Sequence, residues 1–129
     1  MGYKVYVITG PTGSGKTDLS VSLAKRINAC IINADASQFR KGLDIGTAKI
    51  RQEEMCGIDH YMIDIIDIDT EFSIFDFQKM GRSILNRELE KRNVIVVGGS
   101  GLYINALLVF INDSFFNSSL SYGIKILPK

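Results

Sequence analysis

The chain has 129 residues, of which 46% are hydrophobic and 22% charged, and its formal net charge is +1. Such a composition excludes a disordered or fibrous protein and leaves room for a single domain around one hydrophobic core. A charge this close to neutral gives no overall basic field, so an RNA partner has to be held by a local patch or by a part lying elsewhere.

Residues 3–9 read as a β-strand that runs into Gly10-Pro11-Thr12-Gly13-Ser14-Gly15-Lys16-Thr17. That stretch satisfies the phosphate-loop pattern G-x-x-x-x-G-K-[ST] at every fixed position. Its glycines let the chain turn tightly and aim successive N–H groups into one concavity, where an anion is held. Lys16 adds a full positive charge to the phosphate oxygens. The Thr17 hydroxyl is placed to take a coordination position on a Mg²⁺ that the phosphates share. A helix is predicted over Lys16–Ile27, with Leu19, Val21, Leu23, Ala24 and Ile27 toward a sheet and Lys25 and Arg26 outward, its N-terminus at the anion.

Asn28 and Ala29 end that helix, and the apolar run Cys30-Ile31-Ile32-Asn33-Ala34 predicts a second, buried parallel strand. Ligands of open α/β sheets collect beyond the carboxyl ends of strands, so Asp35 is expected to face the phosphate loop. Residues 35–49 are polar, contain glycine and are longer than a connection needs, which favours a functional loop. Within residues 58–67, Asp64 and Asp67 are expected to flank the end of a third strand as solvated carboxylates, and His60 to be a satisfied histidine near the sheet edge.

Residues 72–92 carry Ile74, Phe77, Met80, Ile84, Leu85 and Leu89 at helical spacing, with Ser73 as N-cap, and read as scaffold. Val94-Ile95-Val96-Val97 is a buried strand that runs into Gly98-Gly99-Ser100-Gly101, a second glycine-rich turn and helix start. Two such turns facing each other make a two-sided phosphate clamp. Residues 122–127 allow a further strand, against which Gly123 and Pro128 weigh. The expected fold is α/β, a three-layer P-loop NTPase-like arrangement with a mainly parallel sheet of at least four strands and helices on both faces.

Cys30 and Cys56 show no C-x-x-C spacing and His60 is the single histidine, which argues against a zinc site. With no leading apolar run and no stretch long enough to cross a bilayer, the expectation is a cytoplasmic protein with free thiols and no membrane association.

The phosphate loop, followed by Ala34-Asp35, then Gln38 and the run Gly42-Leu43-Asp44-Ile45-Gly46-Thr47-Ala48-Lys49, resembles the tRNA dimethylallyltransferase (tRNA isopentenyltransferase) family. The segments at 58–67 and 94–103 strengthen the resemblance, which covers residues 5–108. A core of 1–108 and a divergent tail of 109–129 are therefore expected. The resemblance implies transfer of a dimethylallyl group from dimethylallyl diphosphate to the exocyclic N6 of an adenosine beside the anticodon of tRNA. It implies a Mg²⁺ cofactor, a monomer, and Lys16 and Thr17 holding diphosphate and metal while Gly13, Ser14 and Gly15 supply N–H donors. Asp35 would be the general base, with Lys16 and Ser100 the other catalytic groups. Thr12, Gln38, Lys49 and Gly99 would contact substrate, Gln38 by reading the adenine edge.

Ser100 stands where the family usually has Thr, Ala36 replaces a Ser and Arg40 an aromatic Tyr. Family members also carry a helical tRNA-gripping insertion and a basic C-terminal part. Without them, weak diphosphate binding and slow or no transfer are expected. Three other readings stay open: a small-molecule kinase, since the same cradle serves ATP, a transferase acting on free adenine nucleotide, and a phosphate-binding remnant without turnover.

Overall fold

The computed structural model describes residues 3–10, 15–42, 50–99, 101–108 and 123–127. In chain order these form β1 (Val5–Thr9), α1 (Lys16–Ile27), β2 (Ala29–Asn33), β3 (His60–Tyr61), α2 (Ile74–Glu88), β4 (Asn93–Gly98), α3 (Gly101–Leu108) and β5 (Gly123–Leu127). The five strands make one sheet in the order β3-β2-β4-β1-β5. β4 pairs in parallel with both β1 and β2, and β2 with β3, whereas β5 joins the outer side of β1 antiparallel.

Strand alternation sorts the core onto two faces. Val5, Val7, Cys30, Ile32, Val94 and Val96 pack with Phe77 and Leu85 of α2 and with Ile104, Leu107 and Leu108 of α3. Ile8, Ile31, Ile95 and Val97 pack on the other side with Val21 and Ala24 of α1. The result is the expected three-layer P-loop NTPase-like fold, and the central strands are apolar throughout because helices cover both faces. At the sheet's amino edge, Asn93 ties the layers together: its Oδ1 accepts from the Lys4 amide at 2.8 Å and its Nδ2 donates to the Ile27 carbonyl at 2.8 Å.

Local chemistry sets the end of α1 and the start of α2. α1 ends at Asn28, which takes the left-handed conformation (φ 54°) that Asn tolerates, and its N–H returns to the Ala24 carbonyl. α2 opens on a capping box, in which Ser73 Oγ accepts from the Asp76 amide at 3.1 Å and Asp76 accepts from the Ser73 amide at 2.9 Å.

Three expectations need correction. Leu19 is 44% exposed, and α1 buries Ser20 instead, whose hydroxyl is satisfied by the Thr17 carbonyl at 2.8 Å. Met80 lies on the outer side of α2 and is 39% exposed. The strand expected within 58–67 is only two residues long, because Met62 and Asp64 adopt positive φ (69° and 54°) and break the extended run. The residues that follow turn back along the chain after β2: the Ile65 amide donates to the Phe39 carbonyl at 2.8 Å and the Lys41 amide to the Ile66 carbonyl at 2.8 Å.

Candidate functional site

Parallel pairing brings three chain segments out of the sheet at one edge. Thr9 is in register with Gly98 and Asn33 with Val97, and the Ala34 amide continues the ladder by donating to the Val97 carbonyl at 2.7 Å. Gly10, Gly99 and Asp35 therefore follow the carboxyl ends of three adjacent strands, with β4 in the middle. At the usual strand spacing, the chain after β1 and the chain after β2 lie roughly 10 Å apart. A side-chain length from each side spans that gap.

Gly15 caps α1 at φ 84°, a left-handed conformation that a Cβ would strain. The helix then starts at Lys16, whose ammonium reaches back to donate to the Gly10 carbonyl at 2.7 Å. Gly99 borders the same spot, since a Cβ there would stand 3.4 Å from Lys16 Nζ and 3.6 Å from the Gly10 oxygen. The cation thus sits between the ends of β1 and β4, where both glycine-rich turns begin. An ammonium has three donors, so one bond to Gly10 does not exhaust it. Thr17 is half-buried in the first turn of α1.

On the β2 side, Asp35 is half-buried and caps a short 3-10 turn, Ala36–Gln38. Its Oδ1 accepts from the Ser37 amide at 3.1 Å and the Ser37 hydroxyl at 2.8 Å. Both bonds fall on one oxygen, and a carboxylate has a second. Gln38 donates its amide to the Asp35 carbonyl at 3.0 Å, while its side-chain Oε1 accepts from the Ile50 amide at 3.3 Å. The Arg40 guanidinium donates to the carbonyls of Asp67, Ile68 and Thr70.

An aromatic cluster fastens the two sides together. Phe39 stacks on Phe77 at 5.2 Å and meets Tyr103 edge-on at 5.4 Å, so the segment carrying Asp35 is packed against the helix that follows Gly99. His60 Nδ1 donates to the Ile58 carbonyl at 2.9 Å, but its buried Nε2 has no partner among the described residues.

Of the residues singled out in the sequence, Gly10, Gly15, Lys16, Thr17, Asp35, Gln38 and Gly99 gather at this edge. Pro11, Thr12, Gly13, Ser14, Lys49 and Ser100 lie outside the described residues, as do Asp44 and Thr47. Sequence reasoning missed Asn33, the polar member of an otherwise apolar buried strand, and Glu88, a carboxylate on the apolar face of α2. In each case the signal was a polar residue at a position where the pattern demands burial. Among the described residues no three His, Cys, Asp or Glu side chains gather to hold a metal, and no helix is long and apolar enough to cross a membrane.

A lysine opening α1, a glycine after β4 and a carboxylate after β2, all at the carboxyl edge of a parallel sheet with helices on both faces, define an α/β protein of the P-loop NTPase-like class. The family model for IPP transferase matches residues 38–122, and the chain belongs to that family. A tRNA dimethylallyltransferase of Thermoanaerobacter sp. (strain X514) is 44% identical over 128 residues, which are 98% of this chain and 40% of the relative. One from Anoxybacillus flavithermus is 52% identical over 110 residues, 84% of this chain and 35% of the relative. Among solved structures, the full-length tRNA isopentenylpyrophosphate transferase of Bacillus halodurans matches with a TM-score of 0.77 at 42% identity, over 89% of this chain and 43% of that one. A eukaryotic dimethylallyltransferase described as acting on tRNA matches with a TM-score of 0.76 at 31% identity, over 83% and 27% of the two chains. The chain thus spans less than half the length of these relatives. The similarity also runs past Leu108, into the segment that carries no recognisable motif.

Proposed function

We propose that this chain carries the catalytic core that transfers a dimethylallyl group from dimethylallyl diphosphate to the exocyclic N6 of an adenosine beside the anticodon of tRNA. One observation carries the reading: Lys16 Nζ, held at 2.7 Å on the Gly10 carbonyl and bordered by Gly99, shares a sheet edge with Asp35. The relatives' names supply the acceptor and the donor's class.

Breaking the allylic C–O bond leaves the electron pair on the diphosphate, so negative charge grows there as the bond lengthens. Lys16, the N–H groups of Gly13, Ser14 and Gly15, and the hydroxyls of Thr12 and Ser100 are assigned to stabilise that charge more in the transition state than in the bound substrate. The N6 lone pair forms the new C–N bond, and Asp35 takes the proton that N6 gives up. Because Oδ1 of Asp35 is occupied by Ser37, Oδ2 is the oxygen assigned to this proton. Gln38, with Oε1 engaged by Ile50, is left its Nε2 to donate to the base, and Lys49 supplies a further substrate contact.

The Thr17 hydroxyl is a hard oxygen donor, which suits a Mg²⁺ carried mainly by substrate phosphates rather than by a protein cage. Such an ion would offset charge on the departing diphosphate. A monomer with its core in 1–108 completes the proposal.

Labelled dimethylallyl diphosphate and unmodified tRNA test it. Label is expected in the RNA, dependent on Mg²⁺ and lost in Lys16→Ala and Asp35→Asn. Label on AMP and not on tRNA would move the acceptor to free nucleotide, and ATP turnover without any transfer would support the kinase reading.

A further inference from the structure

Asn33 ends β2 at 4% exposure, the one polar side chain buried within that strand. An amide in such a place costs stability unless its polar atoms are bonded. Here they are. Its Oδ1 accepts from the Asp35 amide at 3.1 Å, and its Nδ2 donates to the Asp35 carbonyl at 3.0 Å and to the Met62 carbonyl at 3.0 Å. Two carbonyls on one side and an N–H on the other admit only one orientation of the amide group.

The two bonds to Asp35 grip both peptide groups that flank its Cα, at φ −108° and ψ 113°. The third anchors the clasp to Met62, 1% exposed and itself at φ 69°. Asp35 is therefore held from its backbone, before its carboxylate meets Ser37. A base displaced by about 1 Å can lose on the order of a hundredfold in rate, so a backbone clasp of this kind bears on catalysis.

We propose that Asn33 is a positioning residue for dimethylallyl transfer, fixing Asp35 so that its carboxylate points at the acceptor amine. The proposal rests on the reading of Asp35 as the base given above. It does not involve Lys16, which follows β1 on the far side of β4.

The test compares Asn33→Ala, Asn33→Ser and Asp35→Asn with the unaltered protein, using labelled dimethylallyl diphosphate and unmodified tRNA. Serine keeps the side-chain acceptor two residues before the Asp35 amide, a weaker form of the same turn. Asn33→Ala is expected to lower kcat at least tenfold with KM for dimethylallyl diphosphate within twofold, and Asn33→Ser to recover at least threefold of the loss. Amide exchange at Asp35 should quicken at least tenfold in Asn33→Ala while the amides of β4 stay protected, which separates a loosened clasp from a failed fold. If Asp35→Asn abolishes transfer and Asn33→Ala leaves kcat within twofold, the role of Asn33 is overturned. So too if Ser restores nothing, or if KM rises while kcat holds. Absence of transfer by the unaltered protein would instead overturn the transferase reading itself.

Discussion

Cys30 and Cys56 show how placement sets reactivity. Cys30 is fully buried, and burial pushes its thiol up to about 12, against the opposing pull of the Arg92 charge. Cys56 is exposed at a turn. A thiolate-seeking reagent at neutral pH should therefore titrate one equivalent in the native protein and two in denaturant; two in the native protein would contradict the burial of Cys30. His60 gives a pH signature of its own. Burial of its ring lowers its pKa below the ordinary 6.5, only partly opposed by its bond to Ile58 and by Asp59. A depressed histidine favours the folded state fully above pH 6.5, and that contribution is lost as the pH falls from there to the folded value. Urea midpoints should drop between pH 7 and 5.5, and His60→Gln should flatten that part of the profile. The two free thiols and the edge histidine were legible in sequence, but not their environments: His60 was expected to be satisfied, yet its buried Nε2 has no partner among the described residues.

At the scale of elements, α2 shows what is local and what is not. Its start is written in Ser73 and Asp76, three residues apart, and needs no other part of the chain. Its other end depends on the tertiary structure. Glu88 is fully buried, with Arg92 Nε at 2.6 Å, Arg87 Nε at 3.2 Å and Lys91 Nζ at 3.5 Å. Burial alone would raise its pKa, but the hydrogen bonds from Arg92 and Arg87 outweigh it and hold the carboxylate below its ordinary range. Arg92 carries the link onward to Asp59 at 2.9 Å and the Tyr61 hydroxyl at 3.3 Å, joining α2 to the segment at β3. Taking the main cation away from a buried carboxylate leaves that charge under-paired, so Arg92→Ala should destabilise by about 3 kcal/mol in denaturant unfolding. The cluster lies at the amino edge of the sheet. Diphosphate binding by the folded fraction should therefore be unchanged, and a parallel loss of binding would show that the two edges are coupled. The short β3 was illegible for a related reason: an apolar run predicts extension, yet positive φ at Met62 and Asp64 is selected by the turn that docks 64–66 against 38–41.

For the whole molecule, the edge strand β5 is the point of exposure. It pairs along all of β1, from Val5 with Leu127 to Thr9 with Gly123, and so covers the backbone that would otherwise template a second chain. Deleting residues 123–129 should lower the unfolding midpoint and give concentration-dependent association in light scattering; a monomer of unchanged midpoint would show that β5 is dispensable. By itself the sequence determined the phosphate-loop motif, the α1 span, the start of α2, the central buried strands and the family resemblance, because each rests on residues adjacent in the chain or on a short period. That Asp35 faces the loop of Lys16 was expected from the sequence, but only the tertiary structure decided that β4 lies between them, that Gly99 borders the lysine, and that Asn33 holds the aspartate. Those juxtapositions follow from parallel pairing through β4, a contact between segments some sixty or more residues apart, and local pattern carries no record of which strand lies between two others.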